Sequence, residues 1–224
     1  LKEEKRLKRL EERYDVKVNI VEFPFSDITS YFPIGNRHWT IEMYYRLFAP
    51  ELLPKDIDRV LYLDCDIIVD GDVSKMYFSE IKDISAIVTT DFMSIQAGNP
   101  KRLGYDERHG YFNSGMMLIN ISYWREHDIL QRSINYIKEN SEILFLYDQD
   151  VLNYVLHDSK KFIGIEYNFF SLYITKMTFD SIDENMKRGV RNCNPRIIHF
   201  IEPKPWTIFS YKFPLTRVWE KYCK

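Results

Sequence analysis

The chain has 224 residues, of which 45% are hydrophobic and 29% charged, and its formal net charge is −2. This is the composition of a globular protein with one substantial core, and the charge gives no attraction towards nucleic acid. The three cysteines form no CxxC pair, which argues against a disulfide framework or a zinc site and favours a reducing, cytoplasmic location. No apolar run reaches the roughly 18 residues of a membrane-spanning helix.

Hydrophobic periodicity predicts helices alternating with strands. Helices are predicted over residues 1–14, 40–48, 128–139 and 148–156, with Asp128 as the N-cap of the third. Strands are predicted over residues 16–23, 59–63, 85–89, 115–121, 161–165 and 196–200. Continuous apolar strands between helices are typical of a sheet covered on both faces. We therefore expect an α/β fold with a mixed, mostly parallel central sheet flanked by helices.

Polar residues follow several of these strands, at the sheet edge where α/β proteins bind ligands. The residues concerned are Asp64, Asp66, Asp91 and His199, together with Asp148 and Asp150 at the start of a predicted helix. Their positions predict one polar site.

The pair Asp64 and Asp66 is the strongest chemical signal in this set. Residues i and i+2 of an extended chain point to the same side, so the two carboxylates converge and repel each other unless a cation lies between them. Hard oxygen ligands suit Mg²⁺ or Mn²⁺, and an imidazole such as His199 shifts the preference towards Mn²⁺. An isolated D-x-D is nevertheless more often a surface turn.

The surrounding sequence makes the motif more specific. VLYLDCDIIV (60–69) resembles the metal-binding segment of the family 8 glycosyltransferases. Further segments follow that family's order and approximate spacing: MYYRL (43–47), YFNSGMMLIN (111–120), YDQDVLN (147–153), YN (167–168), IIHF (197–200) and KPW (204–206). The resemblance extends from about residue 40 to residue 206.

The resemblance implies a metal-dependent, retaining transferase of the GT-A fold. It would move glucose or galactose from a UDP-sugar to a glycan, a lipid-linked glycan or a glycoprotein. Residues 1–224 would form one domain, with a donor- and metal-binding half (1–110), a donor-sugar and acceptor half (111–206) and a C-terminal tail (207–224). The family's first nucleotide-binding strand has no counterpart before Val16.

The resemblance also implies roles for individual residues. Asp64, Asp66 and His199 would bind Mn²⁺ or Mg²⁺. The remaining donor-binding positions would be Arg46, Cys65, Asn113, Ser114, Gly115 and Lys204. Asp148 and Gln149 would hold the donor-sugar hydroxyls as catalytic residues, and Asp91 would lie near the acceptor.

The segment after His199 departs from the family pattern. Glu202 stands where the family usually has a glycine, and the segment is one residue shorter, which weakens the assignment of Lys204 to the donor phosphates. Retention of configuration requires either a nucleophile, for which Asp148 and Asp150 are the carboxylate candidates, or a front-face route that needs none. The residues do not distinguish these two routes.

Simpler interpretations remain for several of these residues. Asp148 and Asp150 suit the first turn of any helix, His199 suits a strand interior, and Arg46 suits a helix surface. We also weigh an aspartyl-nucleophile phosphatase and a non-catalytic glycan- or nucleotide-binding protein. The aromatic and basic C-terminal segment SYKFPLTRVWEKYCK suits packing against the domain, and peripheral contact with the inner face of a membrane is the alternative.

Overall fold

The computed structural model describes residues 2–24, 32–33, 40–201, 204–207 and 215–222. The chain divides into two compact units, residues 1–30 and residues 31–224. Within the described ranges, no helix combines the length and the apolarity that crossing a bilayer requires.

The first unit contains the predicted N-terminal helix, α1 (Lys2–Tyr14). The helix ends where Asp15 takes a positive φ of 51°. The strand predicted over residues 16–23 is wrong, since residues 16–24 form no regular element. Alternation of apolar residues favours a strand only where a neighbouring strand accepts its amides, and here the amide of Val18 donates to Glu11 Oε1 at 2.7 Å.

The second unit alternates helices with strands, as predicted. Its α-helices are α2 (Ala49–Leu52), α3 (Ser74–Tyr77), α4 (Phe92–Gln96), α5 (Asn99–Arg102), α6 (Ile121–Glu126), α7 (Ile129–Asn140), α8 (Tyr147–Val155), α9 (Lys176–Ser181), α10 (Glu184–Asn192) and α11 (Thr216–Tyr222). Its strands are β1 (Arg59–Leu63), β2 (Ile67–Val69), β3 (Ala86–Thr90), β4 (Phe112–Asn120), β5 (Lys160–Ile163), β6 (Phe169–Phe170) and β7 (Ile197–His199).

Short 3₁₀ helices fill several connections: Ile41–Phe48, Glu107–His109, Ser141–Ile143, Ile165–Tyr167 and Ser171–Ile174. The helix predicted over 40–48 is therefore present, in the tighter 3₁₀ form. Asp128 precedes α7 as predicted, but it has a left-handed backbone and its side chain makes no capping hydrogen bond. The predicted capping interaction is wrong for that reason.

The strands form two sheets, with orders β1-β4-β3-β5 and β2-β7-β6. In the larger sheet β1, β3 and β5 run in the same direction, and β4 runs against them between β1 and β3. The prediction of a mixed sheet is thus confirmed, and three of the four strands described in this sheet run in the same direction. Because β4 is inserted centrally, only the β3–β5 pairing of that sheet is parallel.

The pairing register places the polar ends of strands from both sheets together. Leu63 at the end of β1 lies opposite Met116 of β4, and the next amide, that of Asp64, donates to Gly115 O at 2.8 Å. In the smaller sheet Ile67 lies opposite His199. The chain therefore crosses from one sheet to the other between Asp64 and Ile67, directly beside β4 and β7.

Apolar packing supports this crossing from two sides. One buried cluster comprises Met76, Ile81, Ile87, Met116, Leu118, Tyr167 and Ile197. A second comprises Phe169, Phe170, Tyr173, Ile182, Met186 and Val190, and the ring of Phe170 meets that of His199 edge-on, with centroids 5.8 Å apart. The imidazole of His199 therefore packs against the ring of Phe170.

Arg125 of α6 ties down the connection between α2 and β1. Its guanidinium donates at 2.9–3.2 Å to the carbonyl oxygens of Pro50, Leu53, Pro54, Lys55 and Ile57. These carbonyls follow or end α2, so Arg125 satisfies acceptors that the short helix cannot satisfy itself. The connection leads directly into β1, which carries Asp64 at its end.

We expect Arg125→Ala to lower the free energy of unfolding by about 2–4 kcal/mol, because several hydrogen bonds to one charged donor are lost together. Arg125→Lys should restore less than half, since one ammonium group cannot reach carbonyls arranged for a planar fork. Urea denaturation measures both. The matched control is Arg108→Ala, which removes an exposed pair with Asp106 and should change stability by no more than about 0.5 kcal/mol. Equal losses at the two arginines would contradict this role.

Candidate active site

The structure brings Asp64, Asp66 and His199 together as the sequence predicts. One ligand atom from each lies within 4.8 Å of the others. His199 Nε2 is 3.2 Å from Asp66 Oδ1 and 3.9 Å from Asp64 Oδ2. Two carboxylates and one imidazole at this spacing form a donor set suited to a divalent cation such as Mn²⁺.

Two further observations fit a cation at this point. Asp66 Oδ1 is buried and has no hydrogen-bond partner among the described residues. A Cβ atom at Gly115 would collide with the His199 ring and lie 2.7 Å from Asp64 Oδ2. Gly115 thus leaves the space in which the three ligands converge, and a larger residue there would close it.

Lys204 lies in the same cluster. Its ammonium forms an ion pair with Asp66 Oδ2 and donates to Phe200 O at 3.0 Å. Burial opposes ionisation of Asp66, but His199 and Lys204 outweigh it and hold the pKa of this carboxyl at about 2. Contact of Lys204 with the donor phosphates remains a prediction, and Glu202 lies outside the described residues.

Arg46 is not a surface charge, because its side chain is buried between two carboxylates. Its Nη2 lies 3.0 Å from Asp64 Oδ1 and its Nε lies 3.0 Å from Asp148 Oδ2. Its Nη1 donates to Ser114 O at 2.6 Å and to Ser114 Oγ at 3.0 Å. Arg46 therefore connects the aspartate of β1 to the aspartate of α8.

Asp148 is almost fully buried at the start of α8. Burial raises the pKa of this carboxyl to about 6; Arg46 opposes the rise and Asp64 adds to it. The preceding residue, Tyr147, has a positive φ of 43°, which is uncommon outside glycine. This backbone turn begins the helix that carries Asp148 into the site.

Gln149 is held at both ends of its amide. Its Oε1 accepts from Ser114 N at 3.0 Å and from Asn113 Nδ2 at 2.9 Å. Its Nε2 lies 3.3 Å from Asp91 Oδ2. The amide of Gln149 thus has one orientation relative to β4.

Asp91 lies behind Gln149. Its carboxylate caps α4 by accepting from Ser94 N at 3.0 Å and Ser94 Oγ at 2.9 Å. Burial raises the pKa of Asp91. The position near an acceptor that the resemblance implies stays a prediction, since Asp91 contacts the site through Gln149.

Asp150 has a different role from Asp148. Its carboxylate is fully buried and accepts four hydrogen bonds at 2.6–2.8 Å, from Arg102, Tyr111, Phe145 N and Leu146 N. Every strong acceptor direction of a carboxylate is then in use. Asp150 anchors the loop before α8 and offers no lone pair to a substrate.

The site residues line a cavity of about 460 Å³. Its lining comprises Met43, Arg46, Asp64, Asp66, Asn113, Ser114, Leu146, Asp148, Gln149, His199, Ile201 and Lys204. This volume lies within the range of about 300–1,000 Å³ typical of small-molecule sites. Cys65 is exposed and outside the lining, so its predicted donor contact stays untested.

Sequence reasoning missed two residues that hold the site in shape. Tyr62 donates its hydroxyl to Asp64 Oδ1 at 2.7 Å. Asn168 is buried, lies 3.0 Å from His199 Nδ1 through its Oδ1, and donates to Asn113 Oδ1 at 2.9 Å. The YN pattern included Asn168, but nothing in the sequence shows which atoms it contacts.

Comparisons with known proteins point to one family. A model of the family described as "Glycosyl transferase family 8" matches residues 1–208. General stress protein A of Bacillus subtilis is 32% identical over 206 residues, covering 89% of this chain and 71% of that protein. The lipopolysaccharide 1,2-glucosyltransferase of Escherichia coli K12 is 31% identical over 170 residues, covering 75% of this chain and 50% of that protein. The chain thus spans only about half the length of that transferase.

Solved structures show the same fold. The galactosyltransferase LgtC, in complex with donor and acceptor sugar analogs, superposes with a TM-score of 0.74 at 27% identity, covering 87% of this chain and 70% of LgtC. The bifunctional glycosyltransferase WbbM has a TM-score of 0.70 at 19% identity, covering 97% of this chain and 43% of WbbM, and supports the fold alone.

The family match decides for the transferase interpretation and against the phosphatase. The chain belongs to glycosyl transferase family 8 and has the GT-A fold.

Proposed function

We propose that this protein transfers glucose or galactose, with retention of configuration, from a UDP-sugar to a glycan, lipid-linked or glycoprotein acceptor, and that it requires a divalent metal. The observation that carries this proposal is the convergence of Asp64, Asp66 and His199 within 4.8 Å on a cavity that also contains Asp148 and Gln149. Lipopolysaccharide glucosyl- and galactosyltransferases among the relatives support a hexose donor and a glycan acceptor. They are also consistent with association with a membrane, as the proposed location at its inner face requires.

Asp64, Asp66 and His199 would hold the metal, with Mn²⁺ favoured over Mg²⁺ because one ligand is an imidazole. When bound, such an ion acts as a Lewis acid that neutralises charge on a departing diphosphate. Lys204 would supply a second positive charge to the diphosphate, as a compact ammonium able to leave Asp66. Gly115 keeps the backbone of β4 close to the ligands.

Asp148 and Gln149 would receive the donor sugar. Asp148 is paired with Arg46 at the cavity wall, and Gln149, the next residue of the helix, also lines the cavity. One solved structure is of an active-site mutant of LgtC in which a glutamine is changed to glutamate, which is consistent with a functional glutamine here.

The arrangement favours a front-face route, in which the departing phosphate takes the acceptor's proton. The carboxylate of Asp150 accepts four hydrogen bonds from within the protein and has no free acceptor position. Gln149 is an amide and cannot act as a carboxylate nucleophile. Asp148 is bound to Arg46 and Ser114, so attack on a sugar would require it to leave a buried guanidinium.

The first test is calorimetric titration of UDP with and without Mn²⁺. We expect the wild-type protein to bind UDP only with Mn²⁺, and Asp66→Asn to weaken that binding by on the order of 10-fold or more, because it removes one anionic ligand. Asp70→Asn is the matched control, since Asp70 lies four residues further on and contacts Lys221 instead. UDP binding that is equally tight in a chelator would refute the metal assignment.

A second prediction separates catalysis from binding. Asp148→Asn should lower the turnover of UDP-glucose or UDP-galactose hydrolysis by about 100-fold and change UDP affinity by less than about 3-fold, because Asp148 faces the sugar part of the site. Asp180→Asn, which changes an exposed carboxylate on α9, is the control. Equal losses in turnover and affinity would make Asp148 structural. A wild-type protein that binds UDP with Mn²⁺ but hydrolyses neither donor would support the non-catalytic alternative.

The raised pKa of Asp148 also predicts a pH effect on stability. With a pKa of about 6 in the folded state against an ordinary value of 3.8, the folded state binds the proton more tightly than the unfolded state, so this group's contribution to stability is lost as pH rises from about 4 to about 6. Asp148→Asn cannot ionise at this position. The difference in unfolding free energy between the variant and the wild type should therefore move in favour of the variant by on the order of 2 kcal/mol as the pH is raised from 4 to 7. Urea denaturation at both pH values measures the difference, and a constant difference would contradict the raised pKa.

A further inference from the structure

A continuous row of hydrogen bonds links His199 to Gln149. Asn168 Oδ1 lies 3.0 Å from His199 Nδ1, and Asn168 Nδ2 donates to Asn113 Oδ1 at 2.9 Å. Asn113 Nδ2 then donates to Gln149 Oε1 at 2.9 Å, and Gln149 Nε2 donates to Asp91 Oδ2 at 3.3 Å. We call this row the amide chain.

The direction of the amide chain is set by two backbone groups of β4. A backbone N–H can only donate, and Ser114 N donates to Gln149 Oε1 while Gly115 N donates to Asn113 Oδ1, both at 3.0 Å. These contacts fix which end of each amide is the oxygen. Since Asn113 presents its oxygen, Asn168 must present its nitrogen there and its own oxygen to His199.

An amide oxygen facing Nδ1 requires a proton on that nitrogen. In a neutral imidazole the other nitrogen, Nε2, then carries a lone pair, and here Nε2 faces Asp66 and Asp64 at 3.2 Å and 3.9 Å. The opposite tautomer would place two acceptors, Nδ1 and Asn168 Oδ1, against each other.

We propose that Asn168 is a positioning residue that fixes His199 as its Nδ1–H tautomer, ready to give its Nε2 lone pair to a divalent cation, in register with Gln149. The proposal rests on the proposed function, because it concerns the same site. In this arrangement the backbone of β4 orients the amides of Asn113 and Gln149 directly. Through Asn113 and Asn168 it also orients the imidazole of His199.

Long-range ¹⁵N–¹H correlation NMR of the metal-free protein at pH 8 reads the tautomer directly, with His199→Gln identifying the signals. The wild type should show the Nδ1–H form. Asn168→Ala should give a mixture of tautomers and lower the affinity for Mn²⁺ alone by about 10–100-fold, the usual effect of losing a group that orients a metal-binding histidine. Asn168→Asp should keep the Nδ1–H form, because a carboxylate also accepts that proton.

Asn120→Ala is the matched control. Asn120 is likewise a buried amide, but its side chain caps α6 and donates to Ile81 O and Ile84 O, away from the amide chain. This variant should lose stability and keep both the tautomer and the Mn²⁺ affinity.

The Nε2–H form in the wild type would overturn the proposal, whether or not Asn168→Ala folds. An unchanged tautomer and unchanged Mn²⁺ affinity in Asn168→Ala would also overturn it, as would an equal effect in Asn120→Ala. A wild-type protein with the Nδ1–H form that binds no Mn²⁺ would refute the metal-dependent function, while loss of that form in Asn168→Ala would still support the positioning role.

Discussion

The buried guanidinium of Arg46 is the interaction on which the rest of the site depends. Asp64 and Asp148 come from different elements, and two carboxylates brought this close repel each other in a medium of low polarity. Arg46 lies 3.0 Å from each and donates to Ser114 between them, so it neutralises the repulsion and fixes the separation of β1 from α8. Removal of one partner from a buried ion pair costs about 3–5 kcal/mol, so the loss of any one of these three charges would destabilise the fold.

Charge is balanced in the same way at the other end of the cavity. Asp66 lies between Lys204 and His199, and its ion pair with Lys204 opposes the cost of burial. This ammonium thus favours the anionic form of the Asp66 carboxylate. The same ion pair places the Lys204 ammonium beside the residues proposed to hold the metal.

β4 provides the geometry that these charges require. It runs against its neighbours in the centre of the larger sheet, so its first residues lie at the edge where β1 and β3 end. Its backbone holds Asp64 through Gly115 O and Gln149 through Ser114 N. One strand thus positions both Asp64, proposed to bind the metal, and Gln149, proposed to bind the donor sugar, which suits a reaction that needs both in register.

The sequence by itself determined the alternation of helices and strands, the convergence of Asp64 with Asp66, and the identity of His199 as their partner. These follow from local periodicity, from the spacing of two residues in an extended chain, and from an ordered set of motifs. Only the tertiary structure decided that Asp148 faces the cavity, that the carboxylate of Asp150 is fully hydrogen-bonded within the protein, and that Arg46 is buried between carboxylates. It also decided against a strand at residues 16–23 and revealed Asn168. Each of these depends on which distant groups meet a side chain or an amide, and such contacts between residues far apart in the chain leave no periodic signal in the sequence.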